Sequence, residues 1–220
     1  MKRKLIGSLA LFLVLALAFA WVLNSWYSSY YGLFGGKPIR SMEVAIGNGE
    51  HVLVESHLTG DPILDINVTL YHHYDRATII VGTGETRDYC DRSGGCQLRT
   101  MAAVEVSCLV GKIFGAEYYE AAREIGYNDT GARRYAFEQV SKRVSSGGWL
   151  SFREKIEIGR RSVGNRKHLL VILRGPLDGA ERNRIYTPRE GVLVLEALSD
   201  ETLYQEALLL EGMLGVSCSG

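Results

Sequence analysis

Hydrophobic and polar positions divide the chain into stretches of different rhythm. After the basic trio Lys2, Arg3 and Lys4, the 19 residues from Leu5 to Leu23 are uncharged and almost all apolar. As a helix rising about 1.5 Å per residue, such a run matches a hydrocarbon core of roughly 30 Å. The uncharged "NSWYSSYYGLFGG" follows, with Trp26, Tyr27, Tyr30, Tyr31 and Phe34, side chains that favour the membrane–water interface. Positive charge before the span and none just after it predict a signal anchor, N-terminus inside and the rest outside. This gives three parts: a cytoplasmic tip and transmembrane anchor at 1–31, a Gly/Pro linker at 32–41, and an extracytoplasmic domain at 42–220. Ala18-Phe19-Ala20 also fits a signal-peptide cleavage site after Ala20. The apolar run continues through Trp21, Val22 and Leu23, which favours a retained anchor. Either way the remainder is exported.

From Met42 to Arg87 the rhythm is strand-like. "HVLVESHL", "DINVTLYHHY" and "ATIIVGTG" are rich in β-branched and aromatic residues and are separated by turn signals, which predicts an antiparallel sheet or hairpin set. Leu98 to Phe114 carries two adjacent apolar stripes, one through Ala102, Val106, Leu109 and Ile113, the other through Met101, Val104 and Cys108. That predicts a core helix, broken at Gly115. "AEYYEAAREIG" predicts a second helix ending at Gly126. A third, capped by Asp129 or Thr130, runs to "SSGG". "WLSFREKIEIGRRSVGN" fits either a helix or an irregular connection. "HLLVILRG" and "GVLVLEAL" read as buried strands. The last helix has Ser199 or Asp200 as its cap and an apolar face of Leu203, Ala207, Leu210 and Leu214. The fold class is α+β: an antiparallel or mixed sheet, a central helical segment and a C-terminal β-β-α unit.

Composition narrows the function classes. Lysine plus arginine equals aspartate plus glutamate, 25 each, so no basic surplus points to nucleic acid. Export changes how the four cysteines are read, because disulfides form and persist outside the cytoplasm. Gly94-Gly95 allow the chain between Cys90 and Cys96 to turn back tightly, which favours a Cys90–Cys96 disulfide. Cys108 and Cys218 are then a candidate second pair. Cys108 otherwise fits as a small hydrophobe on its helix. Asn67-Val68-Thr69 and Asn128-Asp129-Thr130 are glycosylation candidates.

Other side chains hold candidate chemistry. The Cys90/Cys96 spacing is not that of a structural zinc knuckle. Adjacent His72 and His73 point to opposite faces if they lie on a strand, and His51 and His57 fit the solvated side of a sheet. No metal or cofactor is expected. Cys96 opens the core helix, where the dipole and free N–H groups stabilise a thiolate. The order Cys96, His168, Asp178 resembles that of transglutaminase-like and papain-like enzymes. That resemblance implies a nucleophile, a base and an orienting acid, although "HLLVILRG" lacks the tryptophan or acidic residue expected soon after the histidine. A Cys90–Cys96 disulfide would abolish this nucleophile. Glu105 is the only charge between Arg99 and Lys112. It reads as a solvated edge or a structural pair with an arginine, with a functional acid as the alternative. The arginines of "RGPLDGAERNR" suit an anionic glycan or lipid head group, or simply a solvated loop.

The segment from Leu169 to Gly215 resembles a module of archaeal cell-envelope proteins, S-layer-related ones among them. The matching positions are Gly175, Pro176, Gly179, Ala180 and Asn183. The chain departs from the pattern at Glu196-Ala197, where a glycine is expected. The resemblance covers under a quarter of the chain and implies an envelope protein. The expected function is a membrane-anchored, non-catalytic structural or binding component, with other envelope proteins or glycans as partners. The alternative is a membrane-tethered thiol hydrolase or transferase using Cys96, His168 and Asp178.

Overall fold

The computed structural model describes residues 14–23, 34, 36–47, 49–81, 95–149 and 167–218; at 95–96 and 145–149 the backbone alone is described. The described residues form an α+β fold on one mixed sheet. Its strands are β1 (Arg40–Ala45), β2 (His51–Ser56), β3 (Arg76–Val81), β4 (Val144–Trp149), β5 (His168–Arg174), β6 (Arg184–Arg189) and β7 (Val192–Glu196). They lie in the order β1-β2-β6-β7-β5-β3-β4. Strands β7, β5, β3 and β4 run parallel. Strand β6 turns back antiparallel to β7 and pairs in parallel with β2, and β1 closes a hairpin on β2. The early segment is therefore one hairpin whose next strand, β3, belongs to the parallel half. In β5, Leu169 to Leu173 are all buried, the continuous apolar run that a strand covered on both faces requires.

The helices are α1 (residues 14–23), α2 (Pro62–Leu70), α3 (Gly95–Glu124), α4 (Asp129–Ser141) and α5 (Asp200–Leu214). Helix α2 replaces the strand expected from "DINVTLYHHY". The Asp61 carboxylate accepts from the backbone N–H groups of Ile63 and Leu64, and Pro62 occupies the first turn. Asp65, Ile66, Thr69 and Leu70 are buried, a helical spacing that overrides the β-branched composition. Helix α3 does not break at Gly115. It packs against both α4 and α5, and that burial outweighs the roughly 1 kcal/mol that a helical glycine costs. It ends at Glu124, and Gly126 takes a positive φ of 95°. The α4 cap is Asn128, one residue before the expected caps, accepting from the Gly131 N–H. Where "SSGG" was expected to stop a helix, β4 lines the sheet edge. The C-terminal unit gains a strand as well: β6 intervenes, so the order is β-β-β-α.

Two cores flank the sheet. On one face Val106, Leu109, Leu203 and Leu210 from α3 and α5 meet Ile79, Val171 and Leu193. On the other, Leu170, Tyr186, Val192 and Val194 cluster with Phe34 packed against them. Of the expected transmembrane run, only residues 14–23 are described, as exposed helix. Among the described residues no helix is long and apolar enough to cross a membrane.

Candidate functional site

Strand β6 places Arg184 at its first position, opposite Glu196 at the last position of β7. Both side chains point to the Phe34 face of the sheet, and both are buried. Arg184 Nε and Nη2 donate to Glu196 Oε2 at 3.1 and 2.9 Å, and Nη1 donates to Glu55 Oε2 at 3.2 Å. Arg174, from the end of β5, adds an ion pair to Glu196 at 3.3 Å. Buried Arg184 and largely buried Arg174 thus face two buried anions, the condition under which ionised groups persist away from water. Burial opposes the Arg184 charge, and Tyr186, Glu196 and Glu55 together raise its pKa above the usual value. Tyr186 is held as the neutral phenol, chiefly by burial, and donates to Glu196 at 3.3 Å.

This cluster grips the chain that leads out of the N-terminal segment. Arg184 Nη2 donates to the Phe34 carbonyl at 2.9 Å, and the Arg174 guanidinium lies 4.5 Å from the centre of the Phe34 ring, a cation–π distance. Part of the expected linker 32–41 is therefore docked, and β1 already begins at Arg40. His57 belongs here too. It is buried, 3.3 Å from Glu55, with its ring 5.5 Å from that of Tyr186, not on the solvated side as expected. Beneath the sheet, on α5, Glu206 is fully buried and lacks a well-aligned hydrogen bond. Burial and the charge of Glu196 push its pKa well up, which favours the protonated form.

A second ion pair sits past the end of β5. Arg99, on the second turn of α3, reaches Asp200 at 2.7 Å and Asp178 at 3.5 Å. A Cβ on Gly175 would lie 2.5 Å from Arg99 Nη2. A side chain at position 175 would therefore have to push that guanidinium away from Asp200. Asp178 also receives the Gly175 N–H at 3.1 Å. Asp65 is a third charged anchor. It is buried on α2 and accepts from the Ser56 hydroxyl and from the backbone N–H groups of His57, Leu58 and Thr59 at 2.7 to 2.9 Å. Burial works to raise its pKa, but the Thr59 and Ser56 hydroxyls and the Leu58 and Thr59 amides win, and it ends below the usual carboxylate value.

Two members of the expected thiol triad, His168 and Asp178, are not brought together. His168 opens β5, within 2.8 Å of the Thr78 hydroxyl, whereas Asp178 lies beyond its far end. The six residue steps of that strand separate the two ends by about 20 Å. Cys90 and the Cys96 side chain lie outside the described residues, and with them the Cys90–Cys96 pairing. Cys108 and Cys218 do form a disulfide, with Cα atoms 6.0 Å apart. Glu105 keeps part of the solvated edge expected of it, and among the described residues no arginine pairs with it. It is half-buried on α3 beside Glu211 of α5, and burial and that neighbour raise its pKa. Cys218 Sγ and one oxygen from each glutamate lie within 4.8 Å of one another. With the sulfur committed to the disulfide, only two carboxylates remain, too few for a protein cation site.

The remaining candidates are dispersed. His51 pairs with Glu43 and His73 with Glu117, both at the surface. His72 stacks edge-on with Tyr74. Asn67 is half-buried within α2, and Asn128 is exposed but spends its side-chain oxygen on the α4 cap. A groove of about 550 Å³ runs between α3 and α4, lined by Gly111, Gly115, Ala136, Phe137 and Val140 among others; Phe137 is 73% exposed. Sequence reasoning missed Glu55, Arg174, Arg184, Glu196 and Phe34 as a group. Two arginines in "LRG" and "RIYTPR" and a glutamate inside "GVLVLEAL" were the available signal, since a charge within a buried strand demands a partner. The chain matches no family model, no curated protein and no solved structure.

Proposed function

We propose that the protein is a single-span membrane-anchored component of the cell envelope, structural or binding in role, with its α+β domain on the outer face. The observation that carries this reading is the Cys108–Cys218 disulfide, which ties the C-terminal tail to the core helix; such bonds persist in oxidising compartments. The basic start and the apolar run from Leu5 to Leu23 supply the anchor. The grip on Phe34 supports a structural role. Eleven residue steps separate Leu23 from Phe34, and even fully extended they span at most about 40 Å. A domain clamped at Phe34 is thereby held close to the membrane. The apolar groove around Phe137 is the surface on which an envelope partner would rest, since exposed apolar patches mark contact sites. The C-terminal resemblance to archaeal envelope proteins agrees with this reading.

The test uses the full chain in its native membrane. Protease added to intact cells should digest the domain, and an N-terminal fragment should stay with the membranes after alkaline carbonate washing. A domain protected in intact cells and recovered in the soluble fraction would defeat the proposal. Within the anchored protein, Phe34→Ala should make the chain just before β1 more susceptible to limited proteolysis while leaving the folded domain intact.

A further inference from the structure

The C-terminal tail is held against the helices by more than its disulfide. Glu211 Oε2 accepts the Cys218 backbone N–H at 3.0 Å, and the Lys112 ammonium donates to the Ser217 carbonyl. Glu211 is 6% exposed, and its other oxygen is buried without a partner in standard geometry. Glu105 faces it from α3, with carboxyl oxygens and Cys218 Sγ in one knot less than 4.8 Å across. Among the described residues no ion pair joins a cation to either glutamate. Lys112, on α3, spends its ammonium on the tail. On α4, which packs against α3, Arg133 and Arg134 pair with Asp129 and Glu138 along their own helix.

Two carboxylates this close repel when both are ionised, which favours a state in which one proton is shared between them. We propose that Glu105 and Glu211 form a proton-dependent clasp over the Cys108–Cys218 disulfide, closed while the pair shares a proton and loosened when both carboxylates are charged. In the closed state Glu105 donates to Glu211, which in turn holds the Cys218 amide and keeps the tail down. In the open state repulsion weakens the Glu211–Cys218 contact, and the disulfide is more accessible to an attacking thiolate or phosphine. The raised pKa of Glu105 agrees with this order of events. A carboxyl that binds its proton more tightly in the folded state adds stability below the ordinary carboxylate pKa and loses it as pH rises through the folded value. The clasp rests on the disulfide and not on the membrane anchor, so the purified oxidised domain attached to its full chain in detergent tests it independently of topology.

The experiment compares the rate at which a phosphine reduces Cys108–Cys218 in the wild type and in Glu105→Gln, across pH. The glutamine amide still donates to Glu211 but cannot ionise. At about pH 4 the two rates should agree; by about pH 8 the wild type should be reduced some three- to fivefold faster, the factor set by like charges a few ångströms apart near solvent. A rate ratio that stays flat across that range overturns the clasp. Carbon NMR of the side-chain carboxyls in the wild type gives a second reading that needs no variant. The Glu105 carboxyl should titrate above the ordinary glutamate range; a Glu105 transition at the ordinary value also overturns it.

Discussion

Two carboxylate-rich regions of the same domain solve the problem of burying acid in opposite ways. Around Arg184, Glu55 and Glu196 are neutralised by Arg184 and Arg174, and every charge has a partner at 2.9 to 3.3 Å. Between α3 and α5, Glu105 and Glu211 face one another with no cation paired to them among the described residues, and what holds the site is a covalent bond and a shared proton. The first arrangement balances its charges with arginines and shares no proton. The second is sensitive to pH by construction. Position in the chain explains the difference in consequence: the matched cluster grips Phe34 on the N-terminal side, whereas the unmatched pair restrains the tail at the other end.

The comparison breaks most visibly at Arg184. Replacing it with methionine leaves two buried glutamates short of a cation, and urea unfolding should show a loss of about 3–5 kcal/mol. A loss under about 1 kcal/mol would mean that the cluster is hydrated and its pairing incidental. In the second region the covalent bond dominates. Cys108→Ser combined with Cys218→Ser should cost about 2–4 kcal/mol, since the bond closes a loop with a sequence separation of 110; heat denaturation with and without reductant checks it. Asp65 sharpens the contrast, because dipoles and not cations hold that carboxylate. Asp65→Asn should cost about 1.5–3 kcal/mol at neutral pH. Its depressed pKa means that its contribution is present above the ordinary carboxylate pKa and is lost as pH falls through the folded value, so the penalty should shrink in acid. The smallest effect belongs to Glu105→Gln: a modest rise in melting temperature at alkaline pH, none in acid. A rise in acid instead would contradict the shared proton.

The sequence made part of this legible. Continuous apolar runs marked β5 and β7, and the Ser199 cap and apolar spacing marked α5, because burial on both faces and a one-sided helix leave direct periodic signatures. Helix α2 was misread since Val68, Thr69 and the neighbouring aromatic residues favour strands locally, while the decisive features were Asp61-Pro62 and a buried face at helical spacing. Strand β6 was invisible because its two arginines and a proline look like surface, and only the tertiary partners Glu55 and Glu196 make Arg184 a core residue. The Cys108–Cys218 pair was one of three possible connectivities until the Cα separation fixed it. The Glu105–Glu211 contact joins residues more than a hundred positions apart, and no local pattern announces it.

The central claim is that this is an exported domain stapled at its tail. The most direct measurement traps free thiols at the moment of lysis and maps the cysteines of the native protein by mass spectrometry without reduction. The account predicts a linked peptide carrying Cys108 and Cys218, with neither residue alkylated. Both cysteines recovered as trapped thiols would contradict it.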